Sequence, residues 1–231
     1  MPAEEIKHLL TFTEGLMNHV YWFKQDLNVI PTKEHHAVSI NYTDISERRV
    51  DFISELIESI TEWVYNKQSV QNILSQRMTE TGGSIAKASA HLTQLAYSKF
   101  RPGHPQGQFG ELLLFNFIQH FFAAVPILRK MRITTSVGHE RFGADAIHYK
   151  YENNQNILIL GESKCYESLY QFNTAFNTSV NSICNTFNKI NSEIASYIYD
   201  DFIEPELENV ARNYKNNTLP NVHFELVCLV I

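Results

Sequence analysis

At 231 residues and 44% hydrophobic, the chain can bury one large core or two small ones. No apolar run is long enough to span a bilayer, and Met1–Leu10 lacks the charged start and apolar core of a signal peptide. A net charge of −6 argues against a strong free-standing binder of nucleic acid, because Lys and Arg contacts to phosphate supply most non-specific affinity.

Residues 1–101 read as a mostly helical N-terminal region. The first helix is predicted over about Glu4–Gln25, with a short strand at Ala37–Tyr42. Asp44-x-x-Glu47 has the form of a capping box. Val50, Ile53, Ile57, Ile60 and Val64 then recur at helical spacing. Gly82-Gly83-Ser84 breaks the pattern before a helix carrying Ile85, Ala88, Leu92 and Leu95. The two glycines are not a phosphate loop, since no Gly-Lys-Ser/Thr follows. His35-His36 has no companion ligands and reads as surface. The region is large enough to form a partner interface of standard size.

Pro102-Gly-His-Pro-Gln-Gly107 is turn-rich and marks a boundary. Beyond it, residues 107–231 predict a second domain. Phe109–Ala124 reads as a helix and Arg129–Val137 as a strand. A hairpin follows, and then a helix from about Glu167 to Tyr199. That stretch is rich in Asn, Ser and Thr but keeps Phe176, Val180, Ile183, Phe187, Ile190 and Ile194 at steps of three and four. Val222–Ile231 is the last strand. The expected class is therefore α/β (α+β), with a mixed four-stranded sheet whose last strand returns parallel after a long crossover. The chain stops inside an apolar run, so the natural protein is expected to continue past Ile231 or to have been trimmed there.

The hairpin carries the chemistry. Asn153-Asn154 is its turn signal, because Asn tolerates the left-handed φ that tight hairpins need. With those two residues as the loop, Glu152 faces Gln155, and the same count sets Asp145 opposite Glu162. Opposed side chains have Cβ atoms about 4.5–5.5 Å apart, so the two carboxylates can share a divalent cation. Period two puts Lys164 on the face of Glu162. Asp145, Ile147, Tyr149 and Tyr151 share one face of the first strand. Ala146, His148, Lys150 and Glu152 share the other, which is expected to be solvated.

Crowded carboxylates repel unless a cation or a proton separates them, and Mg²⁺ (or Mn²⁺) suits their oxygens. Such an ion would polarise a scissile phosphate. Lys164 would orient the attacking water or stabilise the added negative charge. The main-chain carbonyl of Ser163 is a further candidate ligand. Catalytic and metal-ligating roles are thus expected at Asp145, Glu162 and Lys164, with Ser163 between them.

This arrangement resembles the PD-(D/E)XK nuclease superfamily, whose core order is helix, three strands, helix, strand. Gly107-Gln-Phe-Gly-Glu111-Leu-Leu-Leu, Arg141-Phe-Gly-Ala-Asp145-Ala-Ile and Gly161-Glu-Ser-Lys-Cys-Tyr166 resemble, more specifically, the nuclease subunit of the Hachiman anti-phage defence system. The resemblance covers the C-terminal half well and the N-terminal half loosely. It implies a DNA nuclease working beside a superfamily-2 helicase in the bacterial cytoplasm. Glu111 matches the helix glutamate that many superfamily members add to the site, where it would serve a second metal or a metal-bound water. A first-turn glutamate stabilised by the helix dipole is the alternative. The Gln-x-x-x-Tyr element of RecB-like members is missing, since Ala175 stands four residues after Gln171.

Arg129, Lys130 and Arg132 form a small basic cluster, a candidate DNA contact in an acidic chain, with Lys99 and Arg101 as a second. Cys165, Cys184 and Cys228 form neither a zinc pattern nor a disulfide framework, as in a reducing cytosol. Cys165 reads as a small buried residue rather than a nucleophile. Two other functions compete with the defence nuclease: a catalytically silent module that binds DNA or a partner, and a free-standing restriction- or repair-type nuclease.

Overall fold

A computed structural model describes residues 6–28, 33–43, 46–100, 105–127, 143–166, 171–190 and 204–231. The fold is α/β of the α+β kind, with helices in the N-terminal region and a four-stranded mixed sheet in the C-terminal half. The chain divides into two compact units, Phe12–Ser59 and a larger one made of residues 1–11 and 60–231.

The small unit contains α1 (Glu14–Met17), β1 (Val20–Lys24), β2 (His36–Ile40), β3 (Tyr42–Thr43), β4 (Ser46–Glu47) and α2 (Arg49–Glu58). The helix expected over Glu4–Gln25 is corrected here. It gives way to strand at Val20-Tyr-Trp-Phe, a β-branched and aromatic run that favours a pleated ribbon, and this strand pairs with β2 from Val20↔Ile40 to Lys24↔His36. The predicted strand at Ala37–Tyr42 corresponds to β2 and the start of β3. Asp44 lies outside the described residues. Glu47 sits in β4 before the helix, where it pairs with Arg49 at 2.6 Å instead of closing a capping box. In α2 the buried face is Phe52 and Leu56, whereas Val50, Ile53 and Ile57 are exposed. Two apolar stripes competed on this helix, and the one with the aromatic ring turned inward.

From residue 60 on, the larger unit holds α3 (Ile60–Val64), α4 (Lys67–Glu80) and α5 (Ile85–Tyr97). Asn66 and Ser84 cap α4 and α5 by accepting the N–H of Ser69 and Lys87. Gly82 and Gly83 take φ values of +67° and +86°, which ends α4 where the sequence indicated. The next helix, α6 (Pro105–Phe122), starts earlier than expected and absorbs the second half of the turn-rich hexapeptide. Pro at the first helical position lacks only an N–H that would be unpaired there anyway.

Strands β5 (Val125–Pro126), β6 (Ala146–Glu152), β7 (Gln155–Lys164) and β8 (Val222–Val230) form one sheet in that order. β5, β6 and β7 are antiparallel neighbours, and β8 runs parallel to β7. The strand predicted at Arg129–Val137 lies outside the described residues. Between β7 and β8 come α7 (Phe172–Phe187) and a shorter α8 (Glu208–Lys215) that the periodicity did not reveal. The buried face of α7 is Ala175, Ser179, Ile183 and Thr186, smaller than the expected aromatic stripe; Phe187 is exposed.

Helices cover both faces of the hairpin. Leu114 and Ile118 of α6 pack with Ala146, Ile157 and Ile159. On the opposite face Ile183 packs with Ile147, Tyr149, Leu158 and Leu160, joined by Val210 and Ala211 of α8. This corrects the expectation that Ala146, His148, Lys150 and Glu152 form a solvated face: His148 is fully buried beside the Phe115 ring. A strand carrying a parallel neighbour is normally covered on both sides. Tyr149 donates to Oδ1 of Asn156 at 2.6 Å, and Asn156 donates to the Pro220 carbonyl at 2.7 Å, which ties the hairpin to the start of β8.

Candidate active site

The hairpin turn is as counted. Asn153 and Asn154 have φ of +51° and +60°, as a type I′ turn requires. The rungs run from Glu152↔Gln155 to Ala146↔Gly161. The ladder then stops, and Asp145 is not a further rung opposite Glu162. The carbonyl of Ile147 accepts from Ile127 on the β5 side, so in a regular strand the Asp145 N–H would also point there. It donates instead to the Gly161 carbonyl at 2.8 Å. Such a break in alternation is what a β-bulge produces, and bulges re-aim side chains. Here Oδ2 of Asp145 accepts the main-chain N–H of Ser163 at 2.8 Å and its hydroxyl at 3.1 Å.

Glu162 and Lys164 share one face of β7, as the period of two requires. Nζ of Lys164 lies 2.6 Å from Oε1 of Glu162. The same oxygen accepts the Ser182 hydroxyl at 2.8 Å, from α7. Glu162 is only 3% exposed, whereas the Lys164 side chain is 33% exposed. Burial pulls the Lys164 pKa down, but the bond to Glu162 and the charges of Glu162 and Asp145 outweigh it and hold it above the ordinary lysine value.

Gly110 of α6 makes the close approach on the other face possible. A Cβ there would meet Cys165 Sγ at 2.9 Å and Ser163 Oγ at 3.1 Å. The neighbouring Glu111 is half-buried and lies well inside α6, beyond the first turn, so the helix-dipole account of it fails. Burial pushes the Cys165 thiol up, the Gly110 backbone opposes this, and the charges of Asp145 and Glu111 push it further. Fields from Asp145, Glu111 and Lys164 therefore meet at Cys165. A thiol so raised stays protonated, the opposite of a nucleophilic cysteine.

Among the described residues, Oδ1 of Asp145 and Oε2 of Glu162 carry no hydrogen bond. Polar groups alternate along β7. Those of Lys164 face β8, where its carbonyl accepts from Ile231 at 2.9 Å. The Ser163 carbonyl consequently faces the side on which Asp145 stands. Two open carboxylate oxygens and one carbonyl are hard donors, the kind that Mg²⁺ or Mn²⁺ takes. No group of three or more His, Cys, Asp and Glu side chains forms a metal cage among the described residues, so Glu111 does not complete one. Arg129, Lys130, Arg132 and Arg101 lie outside the described residues. Ser182 went unnoticed in the sequence; its one signal was a hydroxyl next to Ile183 on the edge of the apolar stripe.

Fold and site together define an α/β protein with a carboxylate–lysine centre at the end of its middle strand. The HamA family model matches residues 17–231, and the chain belongs to that family, a component of Hachiman anti-phage defence. Searches of curated proteins and of solved structures match nothing. No helix among the described residues is long and apolar enough to cross a membrane.

Proposed function

We propose that this chain is a Mg²⁺- or Mn²⁺-dependent deoxyribonuclease of the PD-(D/E)XK type, hydrolysing DNA phosphodiester bonds in the cytoplasm as a subunit beside a superfamily-2 helicase. The observation that carries the reading is the buried Glu162–Lys164 pair next to Asp145, at the point where the β6–β7 ladder ends. A silent binding module would have no need to hold a carboxylate at 3% exposure with a lysine on it.

Asp145 and Glu162, through their open oxygens, and Ser163, through its carbonyl, would hold the ion. When bound, it supplies Lewis-acid polarisation of the phosphate and lowers the pKa of a water. Lys164 is an ammonium at neutral pH, as an ordinary lysine is, and its raised pKa reinforces this. Its part is therefore to stabilise charge on the phosphate oxygens as the attacking oxygen adds, and it is not a general base. Glu111, whose charge is felt at Cys165 beside Lys164, would act on a water of the site and not as a ligand of the ion.

A net charge of −6 gives weak capture of DNA, so a motor subunit would supply the basic channel and strand separation. Membership of a defence system favours such a protein partner. Co-expression with the helicase encoded beside it tests this, with complex formation, DNA affinity and cleavage as readouts. Cleavage at physiological salt should need the complex. An isolated chain that binds and cuts DNA as well would replace the subunit by a free-standing nuclease.

A further inference from the structure

We infer that Ser182 is a positioning residue for Glu162: its hydroxyl fixes the carboxylate so that one oxygen stays open to a divalent cation. This inference rests on the metal-dependent reading above and adds a residue to it.

Oε1 of Glu162 has two donors, Lys164 at 2.6 Å and Ser182 at 2.8 Å, and Oε2 has none among the described residues. The donors differ in what they can do next. Lys164 is a long chain, a third exposed, and has to turn toward the phosphate to act on it. Ser182 has a one-carbon side chain on a helix pinned by Ser179, Ile183 and Thr186. Once Lys164 leaves, Ser182 is the donor that remains on a carboxylate too buried to be held by solvent. The hydroxyl is also neutral. A lysine on the carboxylate competes with a cation for its charge, whereas a hydroxyl fixes the rotamer and leaves the charge intact. Ser179, one turn earlier, is buried with a hydroxyl that makes no hydrogen bond among the described residues, so it does not duplicate the contact.

The experiment is a calorimetric titration of the full chain with Mn²⁺, comparing parent, Ser182→Ala, Ser182→Thr and Glu162→Gln, with melting temperatures alongside. Outer-shell partners of this kind typically shift metal affinity by roughly 10- to 100-fold. Ser182→Ala should weaken Mn²⁺ binding by at least the lower figure, with a melting temperature near the parent's. Ser182→Thr, which keeps the hydroxyl, should restore most of the affinity. Glu162→Gln should abolish binding. If Ser182→Ala takes up Mn²⁺ as tightly as a parent that Glu162→Gln disables, the Ser182 role is overturned and the metal site stands. A parent that takes up no Mn²⁺, or a Glu162→Gln chain that binds like the parent, overturns the metal reading and this inference with it.

Discussion

The carboxylate of Asp145 accepts the main-chain N–H of Ser163, the residue between Glu162 and Lys164, at 2.8 Å. A side chain thus takes over the partner that a continuing β6 would have supplied. Asp145→Asn keeps an acceptor for that N–H, while Asp145→Ala does not. A half-buried donor left without an acceptor costs about 1 kcal/mol, the low end of the usual range. Thermal unfolding should show Asp145→Asn close to the parent and Asp145→Ala measurably lower. Equal melting temperatures would mean that the contact does not organise the strand end.

The Glu162–Lys164 pair has a pH signature. The folded lysine pKa is raised, so its contribution to stability is full below the ordinary lysine value and is lost as pH rises through the raised one. The pair should therefore persist through neutral and mildly alkaline pH. Lys164→Met should remove that alkaline component and should not weaken Mn²⁺ binding. Lower affinity in the variant would make Lys164 part of the metal's support, contrary to the role assigned.

Tyr149 supplies a second alkaline limb. Burial, and then the neighbouring Tyr151, push its hydroxyl up to about 12. Stability should fall as pH rises from the ordinary tyrosine value near 10 toward that figure, because the unfolded chain releases the proton first. Tyr149→Phe flattens this limb. It also leaves Oδ1 of buried Asn156 without its donor, at a cost of about 1–3 kcal/mol near neutral pH. Denaturant midpoints measured against pH would separate the two effects.

Gly110→Ala sets helix propensity against contact. Alanine in a helix interior gains about 0.8–1 kcal/mol over glycine. The new methyl, however, would lie 2.9 Å from Cys165 Sγ and 3.2 Å from Ser163 Cβ. Cβ atoms in the way of a strand end cannot rotate aside, so α6 must shift and overpacking of about 1–3 kcal/mol prevails. The expected result is a lower melting temperature together with weaker Mn²⁺ binding. A stabilised variant with unchanged affinity would show that α6 does not need this approach.

Local chemistry made part of the molecule legible in the sequence. Two asparagines fixed the turn, and with it the rungs of the hairpin as far as Ala146↔Gly161. Period two put Glu162 and Lys164 together. What the sequence hid was non-local. The break at Asp145 is a backbone event with no residue signature. Whether His148 meets solvent or α6 depends on a helix more than twenty residues away. In α2 two stripes had equal spacing, and only packing chose Phe52 and Leu56 over Val50 and Ile53. Ser182 became visible only when α7 was laid on β7.

The most direct measurement is cleavage of supercoiled plasmid by the chain purified with its helicase, at physiological salt and across a Mg²⁺ titration, using parent, Glu162→Gln and Lys164→Ala. The account predicts cleavage that requires Mg²⁺ and disappears in Glu162→Gln. It also predicts a fall of about 100- to 1000-fold in Lys164→Ala, the usual cost of losing one transition-state charge stabiliser. Cleavage without a divalent ion, or undiminished in both variants, would contradict a metal-dependent centre at Asp145, Glu162 and Lys164.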